Sequence, residues 1–365
     1  MPFFALVSVY SIWNVWKKNQ FGWLIILGIA YAFMLQSHYL GLLLAPTLLL
    51  FWIWTFRNLK LEMNNKLRLR EFLKKSLFGL LIFAGLMSPL VIFDVRHGFI
   101  NLNAMKKFFG ERQSTVSARP WNAIPKTFPQ FEKINTRLLA GRNEPIGKAV
   151  SISLIAVLFY AVYSNKKKGK SLISDSLSVI LIWLGFALIG LGLYKQEIYD
   201  HYYGFFFAAP FLLVGGLVEY LVKSNKHKAL KAVVLLAIGY LLLVNLVQHP
   251  FRGPPQMQTQ RAEAVSAKIQ QESEGLPFNL AVIAERNYED GYQYFLELNG
   301  AGVVDIDAQR PETVRDQLFV VCEMPREKCD PTHSAKAEVA NFGWSKIESE
   351  WEVYGTRVYK LIHTQ

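Results

Sequence analysis

The stretch Pro89-Leu-Val-Ile-Phe-Asp94-Val-Arg96-His97-Gly-Phe-Ile-Asn-Leu-Asn-Ala-Met-Lys-Lys-Phe-Phe109 carries an apolar run straight into Asp94, Arg96 and His97, and continues as an amphipathic segment. Apolar runs of helical length precede and follow it. If those helices cross a bilayer, the polar cluster falls where lipid headgroups begin, and the amphipathic piece lies along the interface. The composition fits. The 365 residues are 52% hydrophobic, with mean hydropathy +0.19, 26 Phe, 16 Tyr and 9 Trp, too apolar and too aromatic for an ordinary soluble enzyme.

Runs approaching the ~20 residues of a span occur at 3–16, 21–37, 39–56, 76–93, 149–163, 177–194, 203–222 and 229–247. The expected fold is therefore a multispan α-helical membrane protein of about eight spans. The division inside 21–56 rests only on Gln36-Ser-His38. One straight helix of that length would measure about 54 Å, against a hydrocarbon core of ~30 Å, so two crossings are expected.

The charges then orient the spans. Lys17-Lys18, Arg57 to Lys75, Lys166 to Lys170 and Lys223 to Lys231 all fall on one side, and these loops hold 17 basic residues against Glu62, Glu71, Asp175 and Glu219. The positive-inside rule assigns them to the cytosol. The outer loop 94–148, the short connection 195–202 and everything after Gln248 then lie outside. There basic and acidic residues nearly cancel, so the net charge of +12 does not point to nucleic acid. The first apolar run begins almost at Met1 and enters from outside with no basic flank, which leads us to expect further helices before it.

Three regions remain. The segment Arg57 to Lys75 mixes leucines with cations and reads as a surface helix on anionic lipid or as a solvated connector. The loop 94–148, with Arg119-Pro-Trp121, Pro125, Phe128-Pro-Gln-Phe131 and Arg142-Asn-Glu-Pro145, reads as a half-ordered interfacial lid. Pro250-Phe-Arg-Gly-Pro-Pro255 marks a linker (250–257), beyond which 258–365 reads as a small α/β extracytoplasmic domain. Its expected elements are helices near 258–274 and 291–298, strands at 279–284, 303–307 and 318–322, a helical turn at 311–316, and a hairpin at 344–353 and 356–361. It has no glycine-rich phosphate loop, metal-spaced His/Cys set or nucleophile elbow, which favours a covering or recognition module. No cofactor is named by the sequence, and the need for a divalent metal stays open. Cys322 and Cys329 read as a candidate small-loop disulfide if that domain is outside, and otherwise as two thiols.

Candidate site residues gather at the outer boundary. Lys195, Glu197, Asp200, His201 and Tyr202 crowd one short connection, able to hold a phosphate and a sugar or simply to form a solvated hairpin capped by tyrosines. His38 beside Tyr39 reads as structural or as a ligand group. Arg96 offers a planar fork for phosphate oxygens, with His97 or Lys195 assisting, or serves as an interfacial anchor. Transporters and channels place ionisable groups deep in the bilayer, whereas these spans carry almost none.

The order Pro2-Phe-Phe-Ala5, Gln36-Ser-His-Tyr-Leu40, Ser88-Pro-Leu-Val-Ile-Phe-Asp-Val-Arg-His97 and Tyr199-Asp-His-Tyr202 leading to Pro210 resembles the latter part of bacterial polytopic glycosyltransferases. These are the family 39 members of the GT-C superfamily, akin to protein mannosyltransferases and aminoarabinose transferases. The resemblance implies a bacterial plasma membrane, a polyprenyl-phosphate-linked sugar donor, an acceptor glycan, lipid or protein on the outer face, and inverting transfer. It also implies catalytic carboxylates in a first outer loop, which this sequence does not contain, so the chain reads as a fragment whose N-terminal part is expected elsewhere. A non-catalytic membrane subunit or half of a split enzyme is the alternative, and a lipid-linked-sugar flippase a further one.

Overall fold

The structure is a computed structural model, and it describes residues 1–61, 66–110, 116–117, 119, 120–169, 171, 173–195, 198–224, 228–249, 257–285, 288–307 and 310–364, with backbone alone at 107–110 and 224. Of the expected 250–257 linker only Met257 is among them. The chain divides into two compact units, Met1–Arg252 and Gly253–Gln365.

The first unit is helical. α1 (Pro2–Lys18) and α2 (Trp23–Ser37) are followed by a 3-10 turn (Tyr39–Leu44) that runs into α3 (Ala45–Leu61). Then come α4 (Lys66–Arg96), α5 (Ile100–Gly110), α6 (Ile124–Leu138), α7 (Glu144–Lys167), α8 (Asp175–Leu193), α9 (Ala208–Ser224) and α10 (Lys228–Val247). Five helical stretches among the described residues are long and apolar enough to cross a membrane: Tyr39–Leu61, Lys66–Arg96, Glu144–Lys167, Asp175–Leu193 and Lys228–Val247. The expectation of about eight is met only to that extent, because α1, α2 and α9 have 17, 15 and 17 residues. α4 and α10 present Leu77, Phe78, Leu80, Leu235, Leu236 and Leu242 exposed. Such apolar faces need an apolar surrounding, which suits lipid.

α2 and α4 meet at glycines. A Cβ at Gly28 would overlap the Gly79 carbonyl, and one at Gly79 would overlap the Leu24 carbonyl, so the two backbones approach as only small residues allow. Higher up, Gln36 donates to the Leu86 carbonyl at 3.1 Å, which makes the helices run in the same direction. α4 passes through Pro89 without breaking. Proline cannot donate to the carbonyl four residues back. Here that carbonyl, Gly85 O, accepts instead from Ser88 Oγ at 2.7 Å.

Two expectations need correction. The basic segment 57–75 is no separate surface helix: α3 extends to Leu61 and α4 starts at Lys66, so the cations ride on the ends of the crossing helices. In segment 94–148, of which 111–115 and 118 lie outside the described residues, the described part is built of helices rather than of a half-ordered lid. α6 is amphipathic and buries Phe131 and Ile134 in the main hydrophobic cluster with Trp183, Leu184 and Phe205. Pro125 sits in its first turn, where the amide has no partner to lose.

The second unit comprises α11 (Gln258–Glu272), β1 (Asn279–Ile283), α12 (Asp290–Leu298), β2 (Gln317–Cys322), α13 (Ala337–Phe342), β3 (Ser345–Val353) and β4 (Thr356–His363). The sheet order is β1-β2-β4-β3, with β1 and β2 parallel and the remaining pairs antiparallel. Alternate residues divide between two cores. Leu280, Val282, Phe319 and Val321 pack with Val265, Ile269 and Leu296 of the two long helices, while Ala281, Ile283, Leu318 and Val320 pack with Val339 and Phe342 of α13. The expected strand at 303–307 is only a single parallel bridge from Val303 to Phe278, too short to form a ladder. α13 was not anticipated.

Candidate functional site

The basic ends and the opposite ends of the helices are each tied together. At the basic end, Lys17 of α1 pairs with Asp175 at the start of α8. At the other end, a 3-10 turn over Asp200–Phe205 organises the chemistry. Tyr203, Phe205 and Phe206 are buried, and the Trp183 indole N–H donates to the Phe205 carbonyl at 3.1 Å. That anchorage leaves Asp200, His201 and Tyr202 at the surface of the bundle end.

Around them lies a cluster of rings. His38, the residue between α2 and the Tyr39–Leu44 turn, has its ring centroid 4.6 Å from Tyr39, 5.5 Å from Tyr202 and 5.9 Å from His201. His201 and Tyr202 stand 4.6 Å apart, Tyr199 lies 5.8 Å from His201, and Tyr194 lies 6.1 Å from Tyr202. His38 Nδ1 accepts from the Leu40 amide at 3.2 Å, so that nitrogen carries no proton and the neutral ring presents Nε2–H as a donor. Burial, and then the charge of His201, hold His38 below its ordinary value. Burial and the neighbouring Tyr202 push the Tyr194 phenol up to about 12, so it stays a donor.

On the other side of the same turn, Asp200 takes two arginines. Arg137 Nε lies 3.2 Å from one carboxylate oxygen, and Arg142 Nη2 lies 3.4 Å from the other. Arg142 has φ +65°, a left-handed backbone unusual for a side-chain-bearing residue, held by its amide bonding the Thr136 carbonyl at 2.8 Å. Both arginines line a polar cleft of about 450 Å³ with Glu132, Lys133, Thr136 and Glu144. Nearby, Lys126 donates to the Tyr194 carbonyl at 3.2 Å.

The sequence-derived candidates therefore separate. His38, His201 and Tyr202 come together. Lys195 lies in the connection beside Tyr194, and Glu197 is outside the described residues. Arg96 and His97 belong to a different feature, since from Leu86, level with Gln36, α4 runs on about 15 Å to Arg96. There His97 stacks on Phe93 at 4.0 Å, and Asp94 caps α5, accepting from the Asn101 and Leu102 amides at 2.6 and 3.1 Å. Arg137 escaped the sequence reading altogether. Its only signal was helical spacing, three residues after Ile134 in an amphipathic segment broken up by prolines, where it is half-buried. Cys322 and Cys329 are bridged, with Cα atoms 6.1 Å apart.

No family model, no curated protein and no solved structure matches the chain. The function of this bundle end rests on the chemistry of its own residues.

Proposed function

We propose that the protein is a membrane glycosyltransferase unit that handles a sugar carried on a polyprenyl phosphate at the outer face of a bacterial plasma membrane. The observation carrying this reading is the Asp200–Phe205 turn, which has an arginine pair on one side and a His/Tyr ring surface on the other. Guanidinium forks match phosphate oxygens, and aromatic faces with interspersed donors match a sugar ring. α1, α2 and α9 also cross in this reading, which gives eight spans with every basic loop inside and residues 258–365 outside. The disulfide Cys322–Cys329 supports an oxidising location for that unit.

In the transfer, the acceptor hydroxyl oxygen bonds to the anomeric carbon as the bond to the phosphate oxygen breaks. Arg137 and Arg142 stabilise the departing polyprenyl phosphate, with Asp200 orienting both guanidiniums. His38 Nε2–H and the tyrosines hold the sugar, and Arg96 with His97 anchors α4 among headgroups. The hydroxyl proton goes to a carboxylate base, for which Glu132 and Glu144 line the same cleft as the arginines. Asp94 is a poor base because its oxygens are committed to the cap of α5.

A second reading, a non-catalytic subunit that only binds the donor, is favoured by one observation: Asp200, the carboxylate beside the rings, has both oxygens engaged by arginines. Incubation with a radiolabelled polyprenyl-phosphate sugar in nanodiscs separates the two. Transfer that falls about tenfold or more in Arg137→Ala but not in Arg96→Ala supports the enzyme. Donor binding without transfer supports the subunit, and no binding removes both.

A further inference from the structure

A second site lies in the C-terminal unit, independent of the bundle end. A cavity of about 870 Å³, in the range of small-molecule sites, opens beyond the carboxyl ends of the parallel strands β1 and β2. Ligands of open α/β sheets bind at that edge. The Glu323 amide bonds the Ile283 carbonyl at 3.0 Å, fixing Glu323 just past β2. Tyr292 OH donates to Glu323 Oε1 at 2.5 Å, and Arg261 Nη2 approaches the same oxygen at 3.4 Å. Burial and the Glu323 carboxylate raise the Tyr292 pKa, so its phenol remains a donor. The Arg261 and Glu323 side chains are only 24% and 13% exposed. Arg261 lines the cavity, and its Nε–H is buried without an acceptor. Tyr294, 60% exposed, Glu285 and Lys328 also line the cavity. The disulfide from Cys322 to Cys329 closes the loop that carries Lys328.

The lining decides the ligand class. Two cations, Arg261 and Lys328, face two anions, Glu285 and Glu323, so the cavity has no excess charge for a di- or triphosphate. The lining supplies donors in Arg261, Tyr292 and Lys328, acceptors in Glu285 and Glu323, and the rings of Tyr294 and Phe295, which suits a molecule whose hydroxyls both give and accept hydrogen bonds. We infer that the cavity formed by Arg261, Tyr292, Glu323, Tyr294, Glu285 and Lys328 binds a saccharide, free or as the head of a glycolipid.

Saturation-transfer NMR on the full chain in phosphatidylcholine nanodiscs, with mannose, N-acetylglucosamine, glucosamine and glucuronate as probes, tests this. At least one sugar is expected to bind saturably at about millimolar Kd, weakened about tenfold by Tyr294→Ala and by Glu285→Gln and unchanged by Trp344→Ala, whose exposed ring lies outside the cavity. Both substituted side chains are exposed, so the fold is retained. Saturation by none of the four sugars, binding indifferent to both cavity substitutions, or a response to inorganic phosphate alone overturns the assignment. Binding that survives both cavity substitutions but is lost in Tyr202→Ala belongs to the bundle end and overturns the assignment here, which keeps the two readings distinct. Comparing the best sugar with its lipid-linked form embedded in the nanodisc separates a free ligand from a glycolipid head.

Discussion

At the scale of residues, two hydrogen bonds have measurable consequences. Ser88 Oγ is the donor that replaces the missing amide of Pro89 at the Gly85 carbonyl. Ser88→Ala leaves that carbonyl unpaired at membrane depth, where water is scarce, and is expected to lower stability by about 1–3 kcal/mol. Ser88→Thr, which keeps the hydroxyl, is expected to lose less, and equal melting temperatures of Ser88→Ala and wild type in detergent would refute the role. His38 sets a pH dependence. Its folded pKa lies below the ordinary 6.5, so as pH falls the unfolded chain binds the proton first. The stability it contributes is complete above about pH 6.5 and is lost as pH drops through the lower folded value, when protonated Nδ1 no longer accepts the Leu40 amide. Wild type should melt progressively lower from about pH 7 to about pH 5, and His38→Gln should flatten that slope. Parallel profiles would place the proton uptake on another group.

At the scale of elements, the α2–α4 crossing is a tight constraint, backbone against backbone. Gly79→Leu puts side-chain atoms into the Leu24 carbonyl, and rigid helix backbones have to separate. The expected cost is about 3 kcal/mol or more, read as a large drop in melting temperature, whereas Gly85→Leu, with open space around it, should be nearly silent. Hydropathy runs located the apolar helices of the first unit because lipid-facing residues such as Leu235 and Leu236 have no polar face to blur the pattern. The same logic failed for α6, whose Pro125 and Pro129 look like breakers although Phe131 and Ile134 keep helical spacing. It also failed at 303–307, where local β propensity met no partner strand beyond Phe278. His38 and His201 were legible as polar residues at span ends. Their meeting was not, since it depends on how the Asp200–Phe205 turn is pinned by Trp183. Arg137 as the partner of Asp200 lay equally beyond reach, being a contact between distant segments.

At the scale of the whole molecule, the helical unit carries its basic ends on one side and the Asp200–Phe205 turn on the other, and a separately cored α/β unit follows the last apolar helix. That unit depends on its bridge. For so short a loop the chain-entropy relation gives about 2.5 kcal/mol, so Cys322→Ser with Cys329→Ser should lower the melting of the C-terminal unit while leaving donor binding by the helices intact. The central claim is that the arginine pair and the ring cluster on the Asp200–Phe205 turn bind a polyprenyl-phosphate sugar. Photo-cross-linking with a benzophenone-bearing polyprenyl-phosphate sugar, mapped by mass spectrometry on the full chain in nanodiscs, tests it most directly. Cross-links are predicted on Tyr39, Tyr199, Tyr202 and the segment from Arg137 to Arg142, and should be competed by unlabelled donor. Cross-links confined to Arg96 and α5, or spread over the lipid-facing helices without competition, would contradict it.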